Sequence, residues 1–334
     1  MARRSRRAAG LLALVALAAA AWLGYFALLP LAPPQMPYEF TVQAGTSLRA
    51  LARHLAADGV LFEGESLWIA GRALGKDRSI QAGVYRLDKP ITTQELLQKL
   101  ARGDVVALEL VFVEGSTFRQ WLAQLAAETR VRHTLAGKTD AQLREALAIE
   151  EPSVEGWLFP NTYRFPPGSA DVDILKRAHA SMVKHLADAW ASRAPQARLR
   201  TPYEALTLAS IVEKETALPG ERPLVAAVFL NRLERGMRLQ TDPTVIYGMG
   251  ENYAGNIRKK DLTADTPWNT YTRDGLPPTP IAMPGASALA AVMHPAESPF
   301  LYFVARGDGS HEFSRTLEEH NRAVAKYQLK AGRG

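Results

Sequence analysis

A run of 22 residues without a charge, from Ala8 to Leu29, constrains this chain more than any other feature. As a helix it rises roughly 33 Å, against roughly 30 Å of hydrocarbon in a bilayer. Arg3, Arg4, Arg6 and Arg7 precede it, and the next charged residue is Glu39. The positive flank holds residues 1–7 in the cytosol and sends everything beyond the run across the membrane. A cleaved signal has an apolar core of about 7–15 residues and a small-residue site before a polar mature start. This run is longer and keeps its alanines mid-run, so 8–30 reads as an uncleaved transmembrane helix.

The same arginines explain the basic balance. The chain carries 40 basic and 34 acidic residues, a formal charge of +6. Setting those four aside leaves 36 against 34, so the body is nearly neutral and no nucleic-acid partner is implied. Cysteine is absent, which excludes disulfides, thiolate nucleophiles and cysteine metal sites.

Residues 31–38 form a proline-rich spacer, expected to be stiff and extended. A small α+β subdomain is expected over 39–104. Residues 39–43 alternate as a strand, and a capped helix carries Leu48, Leu51, Ala52 and Leu55. A second helix covers about 64–73, 82–87 is a strand, and a helix beginning in "ITTQELL" stops at Gly103. A larger mixed α+β domain follows over 105–330. It has a strand in 105–115, then helices near 117–128, 140–149, 171–190, 203–217 and 221–235. A turn-rich connection over 236–285 leads to a helix at 286–293, a strand at 300–305 and a last helix at 316–329. The fold class is α+β.

"LASIVEKETA", residues 208–217, places two glutamates in an apolar helix. With Leu206 at zero on a helical wheel, the apolar arc centres near about 220°. Glu215 falls at about 180°, within it, while Glu213 falls at about 340°, beyond its edge. The two cannot line one pocket. An acid on a buried face has its pKa raised by desolvation, which suits a general acid; the alternative is a structural glutamate paired to Arg232 or Arg238. Glu213 is expected to cap, bridge or orient something at the site edge. Downstream, Gln240, Thr241, Asp242 and Tyr247 on a turn-rich loop, with Asn269 and Tyr271 in "WNTY", supply the amide, carboxylate and aromatic groups that bind sugars. An Asx-Pro turn explains "TDPT" equally well.

Other chemistries find no support. There is no H-E-x-x-H, and the six-residue spacing of His179 and His185 suits no common metal pair on a helix. No G-x-S-x-G, phosphate loop or dinucleotide fingerprint occurs. Ser210 has no local base. Neither a metal nor a cofactor is expected.

The segments "LASIVEKET", "VFLNRL", "GMRLQTDPTVIYG", "WNTY", "GLPPTPI" and "YFVA" resemble the endolytic murein transglycosylases, the MltG or YceG-like family, and the resemblance runs from about residue 39 to 327. It implies a single-pass protein of the bacterial inner membrane with a periplasmic bulk and a LysM-like subdomain. Such a protein cuts nascent peptidoglycan strands internally, near the synthases. It also implies that the second glutamate of "EKE", Glu215, is the catalytic acid. Glu215 would protonate the oxygen between MurNAc and GlcNAc, with the substrate's acetamido group available to stabilise the oxocarbenium-like centre. It would then take the proton of the MurNAc C6 hydroxyl, leaving a 1,6-anhydro end. Where the family has aspartate in "P-D-T", this chain has Asn161, expected to be structural. The alternative is a catalytically silent glycan-binding scaffold for synthases; it is distinguished by whether Glu215 opens on a cleft or is locked by an arginine.

Overall fold

The computed structural model describes Leu14, Leu17, Ala21, Trp22, Gly24, Tyr25, Leu28, residues 30–31 and residues 33–328. Most of the apolar N-terminal run therefore lies outside the described residues. Among the described residues, no helix is long and apolar enough to cross a membrane. The chain is α+β and divides into two compact units, residues 1–108 with 164–167, and residues 109–163 with 168–334.

In the first unit β1 (Pro30–Leu31) pairs antiparallel with β4 (Ile91–Thr92), and β2 (Tyr38–Val42) pairs antiparallel with β3 (Gly83–Leu87). Helices α1 (Leu48–Ala57) and α2 (Gly64–Ala73) lie between β2 and β3 in the chain, and α3 (Thr93–Arg102) follows β4. Alternation in β2 buries Phe40 and Val42 and leaves Glu39 and Thr41 outside. Ser47 caps α1 by accepting from the Ala50 N–H. Thr92 and Glu95 form a capping box at the start of α3, and Gly103 ends that helix in the left-handed region. Leu51, Leu55, Leu67, Leu96 and Leu97 fill the core, with Tyr85 stacked on Phe40. The expected spacer is not wholly free-standing, because Leu31 is buried in this core. An apolar side chain beside an edge pairing gains more from burial than from solvent.

The second unit contains most of the helices. They are α4 (Phe118–Ala127), α5 (Asp140–Leu147), α6 (Asp171–Ala191), α7 (Pro202–Glu215), α8 (Arg222–Glu234), α9 (Asp242–Met249), α10 (Lys259–Thr263), α11 (Ala286–Met293) and α12 (Leu317–Tyr327). Strands β5 (Leu108–Val111) and β6 (Thr162–Phe165) fall at the partition, and β7 (Tyr302–Ala305) pairs antiparallel with β8 (His311–Ser314).

Helix α7 is the centre of this unit. Thr201 caps it, Pro202 occupies its first turn, and every residue from Ala205 to Val212 is buried. Helices α8 and α11 pack against it. The sequence "LPG" after Thr216 stops it, since Pro219 cannot continue the hydrogen-bond ladder.

Two departures from the expectation lie in the second half of this unit. The stretch 236–285 is not turn-rich throughout, because Asp242 and Pro243 open a helix; proline lacks only an N–H that the first turn leaves unused. Strand β8 was not expected. It follows a turn through Gly307 and Gly309, both at positive φ, and its polar sequence "HEFS" hides the pairing.

Candidate active site

Glu215 is the last residue of α7, where the helix ends against the turn before α9. Its carboxyl Oε1 accepts a hydrogen bond from the Thr241 hydroxyl. That turn is held by backbone geometry. Gln240 adopts a left-handed conformation with φ of 50°, uncommon for a residue with a Cβ, and its N–H donates to the Thr270 carbonyl at 3.1 Å. The Thr241 N–H donates to Thr270 Oγ1 at 3.1 Å. The Thr244 hydroxyl donates to the Thr241 carbonyl at 2.7 Å.

A cavity of about 420 Å³ opens beside this carboxyl. Gln240, Thr241, Asp242 and Tyr271 line it together with Glu215. The Tyr271 hydroxyl donates to Asp242 Oδ1 at 2.6 Å. Burial pushes the Glu215 carboxyl up to about 7. The Thr241 hydroxyl, His311 and Arg232 act in the opposite direction, and the nearby Asp242 reinforces the rise. Glu215 is thus an acid that keeps a large protonated fraction near neutral pH while facing a cavity.

No lysine or arginine forms an ion pair with Glu215 among the described residues. Arg232 lines the same cavity, yet its Nε donates to the Leu301 carbonyl at 2.6 Å and its Nη1 to that of Leu239 at 2.7 Å. Its guanidinium also lies 5.1 Å from the centre of the Tyr302 ring. Arg238 is engaged with Asp274 and the Tyr271 carbonyl. The arrangement that would lock Glu215 structurally is not present.

Glu213 points elsewhere. Its side chain is 5% exposed; Oε1 accepts from Arg222 Nη2 at 2.8 Å and Oε2 from the Gly285 N–H at 3.0 Å. A Cβ at Gly285 would meet the end of the Glu114 side chain, which is half exposed and would have to move aside. Glu213 ties the end of α7 to the starts of α8 and α11 and does not line the cavity. The wheel put it at the edge of the apolar arc because it took α7 to have one buried face. In the fold α7 is surrounded, and even its polar flank is enclosed.

Two further residues expected beside Gln240–Asp242 lie apart from the cavity, which is a correction to the sequence reading. Tyr247, on α9, donates to Glu155 at 3.2 Å and packs edge-on against Trp268. Asn269 is buried, and its amide donates to the carbonyls of Asp261, Leu262 and Ala264. Asn269 thereby holds the backbone of residues 261–264, while Tyr247 makes only side-chain contacts. Ser210 is also buried, donating to the Thr207 carbonyl and accepting from the Ile281 N–H, so its hydroxyl faces no cavity. Asn161 accepts from the Thr162 N–H and stands at an exposed turn. Among the described residues no cluster of His, Asp and Glu could hold a metal ion.

The cavity also contains residues that the sequence reading did not single out as site residues, among them Tyr302, His311 and His320. His311 pairs with Glu221 at 2.7 Å, and Tyr302 stacks on His320. They come from β7, β8 and α12, where each residue taken singly reads as an ordinary aromatic or polar position. The strand at 300–305 was the one available signal, since its period of two puts Tyr302 on the same face as Val304, and both line the cavity.

The family model for the YceG-like family matches residues 40–326 of this chain. A Bacillus subtilis protein named endolytic murein transglycosylase is 32% identical over 306 residues, covering 86% of this chain and 84% of that protein. A Streptococcus pneumoniae protein of the same name is 30% identical over 283 residues, 74% of this chain; the match spans 51% of that protein. A crystal structure titled as a yceG-like protein of Listeria monocytogenes superposes with a TM-score of 0.55 at 29% identity, covering 85% of this chain and 98% of the other.

Proposed function

The chain belongs to the YceG-like family, and on that footing we propose that it is an endolytic murein transglycosylase, a lyase that cuts peptidoglycan strands internally. The observation that carries the chemistry is Glu215: an enclosed carboxyl, raised to about 7 by burial, ion-paired to no lysine or arginine among the described residues, and facing a cavity. We assign it both proton transfers. As an acid it protonates the oxygen linking MurNAc C1 to GlcNAc while that bond breaks, and the electron pair leaves with the GlcNAc oxygen. As a carboxylate it then takes the proton of the MurNAc C6 hydroxyl, whose oxygen closes on C1. The product has a 1,6-anhydro end. Water is not consumed, and Glu215 is protonated again for the next cut. One carboxyl suffices because the nucleophile belongs to the substrate.

Gln240, Thr241, Asp242 and Tyr271 contact the glycan in this reading, and Glu213, Tyr247 and Asn269 shape the site from outside. The apolar run at 8–30 anchors the protein in the bacterial inner membrane with its bulk in the periplasm. The unit over 39–104 is a LysM-like module that holds glycan. The enzyme ends nascent strands close to the synthases that extend them. Charge asymmetry at the N-terminus and the strand–helix–helix–strand order of the first unit support these assignments.

The test is the chemistry of the new ends. Purified protein should convert glycan strands to fragments ending in 1,6-anhydro-MurNAc, read by mass spectrometry. Glu215→Gln should lower that yield at least about 10²-fold with an unchanged circular dichroism spectrum. Reducing ends from the unaltered protein, or wild-type rates from Glu215→Gln, would sink the assignment.

A further inference from the structure

A second carboxylate stands in the same cavity. Asp242 opens α9 immediately after Thr241, whose hydroxyl holds Glu215, so the two acids are fixed to one another through a single residue. They differ in setting. Glu215 is partly buried, whereas Asp242 is exposed at the cavity. Asp242 Oδ1 is held by the Tyr271 phenol at 2.6 Å, and its Oδ2 is engaged by none of the described residues. Tyr271 is itself fixed, since its N–H donates to Asn269 Oδ1 at 2.9 Å and its carbonyl accepts from Arg238 at 3.0 Å. A carboxylate oriented by one oxygen and open at the other is suited to accept from an N–H donor on a substrate. Among the groups flanking C1 of MurNAc, the 2-acetamido group carries such a donor.

Resting on the assignment of Glu215 above, we propose that Asp242, oriented by Tyr271, accepts the N–H of the MurNAc acetamido group and turns that group into the internal nucleophile of the first step. The acetamido carbonyl oxygen forms a bond to C1 as the C1–oxygen bond to GlcNAc breaks. The departing electron pair stays on the GlcNAc oxygen, which takes the proton of Glu215. The acetamido nitrogen, made more acidic by the new bond, passes its proton to Asp242. In the second step the C6 oxygen bonds to C1 and gives its proton to Glu215. The bond between C1 and the acetamido oxygen breaks, its electron pair returns to the acetamido group, and the nitrogen recovers its proton from Asp242. Both carboxyl groups end as they began. Each bond change inverts C1, so the departing GlcNAc oxygen and the incoming C6 oxygen use the same face, where one acid–base group can serve both. This divides the work between a partly buried acid and an exposed carboxylate, and a covalent glycosyl–aspartate is not formed.

The experiment uses the full-length enzyme and glycan strands that have been de-N-acetylated and then re-acylated with acetyl, fluoroacetyl, difluoroacetyl or trifluoroacetyl groups. Each fluorine weakens the carbonyl oxygen as a nucleophile, so the wild-type rate should fall progressively across the series. Asp242→Asn keeps an acceptor for the Tyr271 phenol but cannot take the proton. Its kcat should fall about 10²-fold with KM changed little, and its dependence on fluorination should flatten. Tyr271→Phe should lose less and keep the fluorine dependence. A merely structural role for Asp242 would lower activity without altering that dependence. The proposal is overturned if wild type is indifferent to fluorination, if Asp242→Asn matches wild type in rate and dependence, or if a glycosyl adduct is found on Asp242. An active Glu215→Gln variant would overturn the underlying site assignment as well. An inactive one combined with a flat fluorine series would overturn this inference alone.

Discussion

Glu213→Gln tests whether the glutamate two residues from the proposed catalytic acid supports the fold and leaves the chemistry to its neighbour. The Glu213–Arg222 pair is the most enclosed salt bridge among the described residues, with side chains 5% and 7% exposed. Burial raises the Glu213 pKa against the opposing effects of the Gly285 N–H and Arg222, so desolvation outweighs what the pair returns. Such a pair contributes little net stability, but removing one partner strands the other charge at a cost of about 3–5 kcal/mol. Arg222 is poorly placed to tolerate this, because its Nε already lacks a hydrogen-bond partner. Two features favour the lower end. The glutamine carbonyl can still accept one of the two hydrogen bonds, and Glu114, half exposed, sits 4.0 Å from Arg222. A loss of about 3 kcal/mol follows, which for a unit of this size lowers Tm by about 6–12 °C. The assay is calorimetric melting at pH 7.5, beside the yield of anhydro ends at 25 °C, which should stay within a few-fold of wild type. Adding Arg222→Met to Glu213→Gln removes the stranded charge and should recover most of the loss. A single variant melting within 2 °C of wild type, or a double variant no better than the single, would refute the reasoning.

Glu215→Gln should shift stability in the opposite direction from Glu213→Gln at alkaline pH. Because the Glu215 carboxyl is raised to about 7 from an ordinary 4.5, its contribution to stability is complete below about 4.5 and lost as pH rises through about 7. At pH 8 the ionised group costs the fold up to about 3 kcal/mol, so Glu215→Gln should melt higher than wild type at pH 8 and not at pH 4. Activity follows the same proton: kcat/KM should decline as pH rises past about 7, read from initial rates of anhydro-end formation. Thr241→Val removes the hydroxyl that favours the carboxylate and should move that decline to higher pH. An enzymatic reporter fused after Gly334 should be active only outside the cytosol, and a cytosolic signal would overturn the proposed topology.

Much of this protein was legible in its sequence, because the physics concerned is local. Four arginines before an uncharged run point to a membrane boundary without reference to any fold, although most of that run lies outside the described residues. Capping residues marked the starts of α1 and α3, since a cap needs only a side chain and a backbone N–H three residues on. Periodicity also singled out Glu215, because an acid among Ile211, Val212 and Leu208 has no solvent-facing reason to be there. Other features depended on residues distant in the chain. The wheel assigns α7 one buried face, but α8 and α11 enclose it, and Glu213 is buried with Arg222 for that reason. Tyr247 and Asn269 carry sugar-binding chemistry, yet their partners are Glu155 and the carbonyls of 261–264, and only the folded path of α9 and α10 sends them there. The cavity itself required β7, β8 and α12 to return to the end of α7, bringing Tyr302, His311 and His320 beside a glutamate roughly a hundred residues earlier. Sequence spacing reports which face of an element a side chain occupies; what faces it is decided by packing, where apolar burial selects the partner element and polar groups take the neighbours that remain.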